Sequence, residues 1–127
     1  MINKPDYAYV VAQGDLNGYI WAIRGGDGKI RLPGGLLDSK ENPQLSLTKK
    51  AFESGLFCGK SMGKLPIYET EADGIVSHWY LFTGVHRIES YKNKKNGEFP
   101  LTLSLSMFLS LCENKDNVFL RKYFMTI

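Results

Sequence analysis

Positions 7–12 are aromatic and β-branched (Tyr7, Tyr9, Val10, Val11), a composition that predicts a strand. Gln13-Gly14-Asp15-Leu16-Asn17-Gly18 reads as a turn, and positions 19–24 as a second strand. Gly25-Gly26-Asp27-Gly28 breaks it. A short third strand, Lys29-Ile30-Arg31-Leu32, runs into Pro33-Gly34-Gly35, and a loop is expected from there to Glu41. The apolar spacing then changes to that of a helix: Leu47 and Ala51 share one face, and Leu45, Thr48 and Phe52 another. Asn42 is a favoured N-cap, Pro43 suits the first helical position, and Gly55 supplies a left-handed stop, so the spacing predicts a helix over 43–54. Positions 65–70 predict a strand, followed by a hairpin turn, Glu71-Ala72-Asp73-Gly74. Positions 75–88 read as one long strand. Ile75, Trp79 and Leu81 fall on one side and Val76, Tyr80 and Phe82 on the other, so cover is expected on both faces. Leu105, Phe108, Leu109 and Cys112 have the i, i+3, i+4, i+7 spacing of an amphipathic helix, and 118–124 is expected to form a further short one. Together these elements predict a single α+β domain over 1–127, with helices packed on a mixed sheet.

A chain of 127 residues is long enough to bury a core without disulfides or metal. Its 43% hydrophobic and 23% charged content is that of a soluble globular protein, and no apolar run reaches the roughly 18 residues of a membrane span. Met1-Ile2-Asn3-Lys4-Pro5-Asp6 lacks the apolar core of a signal peptide, so a cytoplasmic location is expected. Cys58 and Cys112 have no metal-type spacing, and free buried thiols in a reducing compartment are preferred over a disulfide. A net charge of +3 is too small to argue for nucleic acid. Lys92, Lys94 and Lys95, among Asn93, Asn96 and Gly97, are read as a solvated loop tip in preference to a nucleic-acid patch.

The segment from Leu32 to Phe57 carries the chemistry. It reads Leu32-Pro33-Gly34-Gly35, five residues, Glu41-Asn42-Pro43, then the helix ending at Glu53-Ser54-Gly55-Leu56. This frame resembles the Nudix box, the signature of Mg-dependent nucleoside-diphosphate hydrolases. In that pattern a glycine is followed by five residues, a glutamate, seven residues, then Arg-Glu-apolar-any-Glu-Glu-any-Gly-apolar. Gly35 and Glu41 match with the required interval. His78-Trp79-Tyr80-Leu81-Phe82 resembles the aromatic strand after the box, and Glu98-Phe99-Pro100-Leu101 the turn before the last helix. The resemblance implies a Nudix-type α/β/α sandwich, a mixed sheet flanked by helices. It also implies Mg or Mn if the protein is catalytic, a nucleotide-like or other phosphorylated ligand, and a homodimer as in many relatives.

The helix half departs from the pattern. Without a gap, Lys49 takes the arginine place, Lys50 the first helical glutamate, and Glu53-Ser54 the pair, with Gly55 one residue early. With Gly55 and Leu56 aligned instead, Thr48 takes the arginine place, Lys49 the first glutamate, and Phe52-Glu53 the pair. Both registers put a lysine where a ligand carboxylate belongs, and both keep Glu53. Carboxylates at i, i+3 and i+4 share a helix face and hold the divalent cations that bridge to a diphosphate. A carboxylate about 4 Å from a divalent cation gains roughly 8 kcal/mol at an effective dielectric near 20, and an ammonium there is repelled comparably. The implied ligand-binding residues are Gly34, Gly35, Glu41, Lys49, Lys50 and Ser54. Glu53 is the remaining catalytic candidate, and Glu53 with Glu98 the implied metal pair.

Other candidates are weaker. Glu69, Glu71 and Asp73 could lend loop carboxylates, but Glu98 is better placed by order along the chain. His78 and His86 have no Cys, His or acid at ligand spacing and are read as packing or surface residues. Trp21, Trp79 and Tyr80 offer faces for a nucleobase, with core packing as the default for aromatics in strands. Two readings of function follow. In the first, the chain binds a phosphorylated ligand or a partner with little or no hydrolysis, Lys50 or Lys49 replacing metal charge. In the second, it remains a Mg- or Mn-dependent pyrophosphohydrolase acting through Glu53 and a loop acid such as Glu98.

Overall fold

The computed structural model describes residues 5–14, 18–38, 42–61, 66–88 and 97–112. Glu41, the basic cluster Lys92, Lys94 and Lys95, and the short helix expected over 118–124 lie outside the described residues. In chain order the elements are β1 (Tyr7–Val11), β2 (Tyr19–Arg24), β3 (Ile30–Arg31), β4 (Gly34–Leu36), α1 (Pro43–Glu53), β5 (Leu56–Phe57), β6 (Lys60–Ser61), β7 (Tyr68–Ala72), β8 (Ile75–Thr83), β9 (His86–Arg87), β10 (Phe99–Ser104) and α2 (Leu105–Leu111).

Side-chain alternation along β1 and β8 builds the layers. The two strands pair in parallel, Tyr9 opposite Trp79 and Val10 opposite Tyr80. On one face Ala8, Val10, Tyr80 and Phe82 pack with Leu47 and Ala51 of α1. On the other, Tyr9, Val11 and Trp79 pack with Phe108 and Leu109 of α2. The two helices therefore cover opposite faces, as the two-sided apolar pattern of 75–82 predicts. This is a mixed-sheet α+β sandwich. Burying a leucine such as Leu47 in this way contributes roughly 1.5–3 kcal/mol. A second sheet, ordered β10-β2-β3, is joined to the first through backbone hydrogen bonds between Trp21 and Ala12 and between Gly14 and Tyr19.

The ends of α1 follow from its sequence. The Asn42 carboxamide oxygen accepts from the Gln44 and Leu45 amides at 2.9 and 3.4 Å, satisfying donors that have no partner inside the helix. At the other end Gly55 adopts φ +92° and turns the chain out. The hairpin between β7 and β8 also follows its signal. Asp73 and Gly74 both have positive φ, as the tight two-residue turn requires.

Three expectations are corrected. Gly34-Gly35 is not the start of a loop but strand β4, antiparallel to β1 with Tyr9 opposite Gly34. A Cβ on Gly34 would lie 2.2 Å from the Ala8 carbonyl oxygen, so the close approach of β4 requires glycine. The long strand over 75–88 is broken at Gly84, where φ is +67°, and β9 leaves to pair with β5. Positions 98–101 are not only a turn: Phe99–Ser104 is β10, antiparallel to β2. Pro100 argues against a central strand, and β10 is indeed at the sheet edge, where a missing N–H is tolerated.

Candidate functional site

The outer side of α1 and the chain leaving β4 enclose an open cleft of about 430 Å³. Its walls are Leu36, Leu37 and Asp38 from the strand side, and Ser46, Lys49, Lys50 and Glu53 from the helix. Helical periodicity puts those four residues on one stripe, since i, i+3, i+4 and i+7 are neighbours. The stripe is anchored at Ser46, which is buried and accepts a 3.1 Å hydrogen bond from the Asp38 amide. Leu37 is held from behind by a 2.9 Å hydrogen bond from its amide to the Asp6 carbonyl. Backbone pairing thus fixes one wall and core packing of Leu47 and Ala51 fixes the other.

Lys50 and Glu53 share the cleft wall, whereas Phe52 stays outside it, 48% exposed. Each alignment of the box keeps Glu53 and one lysine on the wall and puts the other member of its glutamate pair, Ser54 or Phe52, off it. Gly34 and Gly35 lie in β4 just before the wall residue Leu36. Ser54 does not face the cleft. It is buried at the end of α1, and its hydroxyl is 3.1 Å from Glu98 Oε1, with the Lys50 carbonyl at 3.5 Å. Glu98 is also ion-paired with the Arg31 guanidinium. The implied metal pair therefore has two settings: Glu53 lines the cleft, and Glu98 sits against Arg31 and Ser54.

The cleft brings two ammonium groups, Lys49 and Lys50, beside two carboxylates, Asp38 and Glu53. Among the described residues no group of three or more His, Cys, Asp or Glu is placed to hold a metal ion. A hard divalent cation takes six or more oxygen ligands and favours carboxylates. Among the described residues, two carboxylates interleaved with two lysines do not make up such a ligand set. They suit an anion with hydrogen-bond donors of its own, because the lysines supply charge and the acids accept from hydroxyl or amino groups.

Sequence reasoning missed one polar cluster. His78 is 1% exposed, and its Nε2 lies 2.5 Å from Glu69 Oε2 across the β7–β8 pair. Its Nδ1 is 3.1 Å from the Tyr80 hydroxyl. Burial pushes the Tyr80 hydroxyl above its ordinary pKa, and the Glu69 charge acts in the same direction. Local spacing hid the acid, yet the turn held the signal. A two-residue turn at Asp73-Gly74 sets Ala72 opposite Ile75, and counting back along both strands sets Glu69 opposite His78. Trp21, Trp79 and Tyr80 are buried core residues, and Trp79 packs tilted against Tyr9 and edge-on against Tyr68. His86 is exposed beside Phe57. Neither Cys58 nor Cys112 is in a disulfide; Cys58 is buried and Cys112 only half-buried, and burial pushes the Cys58 thiol up to about 12.

No family model matches the sequence, and no curated protein matches it either. Solved structures do. A MutT structure, from work on the fish pathogen Aliivibrio salmonicida and on Vibrio cholerae, superposes with a TM-score of 0.71 at 12% identity, covering 95% of this chain and 97% of that one. A protein of Chromobacterium violaceum assigned to the nudix hydrolase family gives 0.68 at 14% identity, over 97% of this chain and 79% of its own. A mutT/nudix family protein of Listeria innocua gives 0.60 at 15% identity, over 98% and 95%. At such identities the likeness speaks for architecture. With α1 and α2 on opposite faces of the mixed sheet and the Gly34-Gly35 strand feeding the α1 cleft, the chain has the Nudix fold.

Proposed function

We propose that the α1 cleft binds a nucleotide-like or otherwise phosphorylated ligand without a divalent cation, and with little or no hydrolysis. The observation that carries this reading is the placement of Lys49 and Lys50 on the cleft wall beside Glu53 and Asp38. The fold of the neighbours points to a nucleotide-derived ligand, and the donor set points away from metal-assisted cleavage. Lys50 then acts as a point charge on a phosphate oxygen, a role that needs neither a fixed coordination geometry nor a deprotonated water. Asp38 and Glu53 remain as acceptors for ligand hydroxyl or amino groups.

Thermal melting in the presence of ADP, ADP-ribose and pyrophosphate, in EDTA and in Mg or Mn, tests the reading. Stabilisation by at least one of these ligands in EDTA is the expected result. Robust turnover of a nucleoside diphosphate derivative with Mg or Mn, abolished by Glu53→Gln, would overturn it.

A further inference from the structure

The charges of the α1 cleft are laid out in order along the helix. Ser46, Lys49, Lys50 and Glu53 follow one another down the wall, and Asp38 joins at the Ser46 end, where its amide donates to the Ser46 hydroxyl at 3.1 Å. At about 1.5 Å of rise per residue, Ser46 and Glu53 stand roughly 10 Å apart along the axis, with the lysines between them. The cleft therefore runs acid, base, base, acid.

Donors gather in its middle. Ser46 is 4% exposed, and its oxygen takes the Asp38 amide, which leaves the hydroxyl its own proton to donate. Lys49 and Lys50 come one turn later on the same stripe. A hydroxyl and two ammonium groups are donors that suit a phosphate. The acceptors lie outside them, Glu53 one turn beyond the lysines and Asp38 beside Ser46. The positive and negative charges of the wall cancel. A ligand with phosphate charge alone satisfies the lysines and sets the carboxylates against like charge. A ligand with a positive group of its own satisfies both sets.

Given the metal-independent phosphate site proposed above, on which this step rests, we infer that the cleft takes a phosphate ester carrying its own primary ammonium group. The phosphate lies among Ser46, Lys49 and Lys50, and the ammonium on Glu53. Glu53 follows the lysines by about 4.5–6 Å along the axis, a distance that a phosphate and an amine joined by two carbons span. The cleft volume of about 430 Å³ falls within the range of small-molecule sites and leaves room for a further group on the ester, to which Leu36 and Leu37 offer apolar surface.

Phosphorus NMR titration in EDTA at low ionic strength tests the assignment, with O-phosphoethanolamine and ethyl phosphate as probes. The two share the phosphate and the two-carbon chain and differ in the ammonium. At about pH 8 both phosphates are essentially fully ionised, so the comparison isolates the added charge. The wild-type protein is expected to bind phosphoethanolamine at least about tenfold tighter, the least that a hydrogen bond to a charged group contributes. Glu53→Gln keeps the shape and removes the charge at an exposed position, so folding is not at stake. It is expected to lose most of that preference while still binding ethyl phosphate. Equal affinity of the wild-type protein for the two probes would overturn the inference and leave the phosphate site standing. A preference that persists in full in Glu53→Gln would overturn it as well. If neither probe binds, ADP is titrated in the same buffer. Binding of ADP then refutes this inference alone, whereas no binding of any of the three refutes the metal-independent site with it. Lysines and carboxylates satisfied only by one another predict that last result.

Discussion

The Ser54 hydroxyl lies 3.1 Å from Glu98 Oε1 and ties the end of α1 to a loop 44 residues further along the chain. A serine buried to this degree at the end of a helix would otherwise spend its hydrogen bond on its own helix, on the Lys50 carbonyl at 3.5 Å. Ser54→Ala is expected to destabilise the fold by about 1.5–3 kcal/mol, the range for a hydrogen bond to a charged group. Ser54→Glu sets a second carboxylate against Glu98 and is expected to cost more than the alanine. Urea unfolding of both variants at neutral pH checks the order, and an alanine variant with an unchanged midpoint would mean that the bond contributes nothing.

Neighbouring glycines in β4 are expected to respond differently to the same change. Gly34 has φ +127° and a Cβ there would meet the Ala8 carbonyl oxygen at 2.2 Å and Leu47 Cδ1 at 2.9 Å. Gly35 has φ +136° but open space around its Cβ position. Gly35→Ala is expected to cost roughly 1–2 kcal/mol through backbone strain alone. Gly34→Ala adds a clash of the new Cβ with the Ala8 carbonyl oxygen that cannot be relieved without moving β4 off β1, and more than about 3 kcal/mol is expected. Equal denaturation midpoints for the two variants would show that the close approach of β4 to β1 is not required.

Alkaline pH should unfold the protein partly through Cys58. Burial raises this thiol from 9.0 to about 12, so the folded state keeps a proton that the unfolded chain releases. The stabilisation is complete below about pH 9 and is lost as pH rises toward 12, at about 1.4 kcal/mol per pH unit. Tyr80, also raised, acts in the same direction above the ordinary tyrosine range. Cys58→Ala is expected to flatten the fall in urea midpoint between pH 9 and 10.5 without removing it at higher pH. An identical slope in wild type and variant would assign the loss elsewhere. The same burial predicts slow alkylation of Cys58 in the native protein at neutral pH.

Reversing charge in the cleft separates the lysine roles. Lys50→Glu replaces an attraction for phosphate by a repulsion, and at least a tenfold loss of affinity for pyrophosphate or ADP in EDTA is expected even after solvent screening. Lys49→Glu is expected to lose less, because Lys49 is the more exposed of the two. Isothermal titration at low and at physiological ionic strength gives both numbers. Unchanged affinity in the Lys50 variant would move the ligand out of this cleft.

How much of this was legible in the residues depends on the range of the interaction concerned. The sequence by itself determined α1, because Asn42, Pro43 and Gly55 act on groups within one helical turn. It determined the β7–β8 turn, because Asp73 and Gly74 tolerate positive φ locally. It determined the two-faced apolar pattern of β8 and the buried face of α2 as well. It also set Lys49 and Lys50 at the places where the resemblance expects a carboxylate, which is a statement about order along the chain. Tertiary structure alone decided that Gly34-Gly35-Leu36 is a strand, since nothing in two glycines favours one until β1 lies alongside. It decided the same for β10, whose Pro100 conceals a strand unless its place at the sheet edge is known. And it brought Glu98 to Arg31 and Ser54 rather than leaving it open to the cleft. Caps, turns and apolar spacing act between near neighbours and so can be read in order, whereas the partner of a strand or of a buried charge is set by which distant segments pack together.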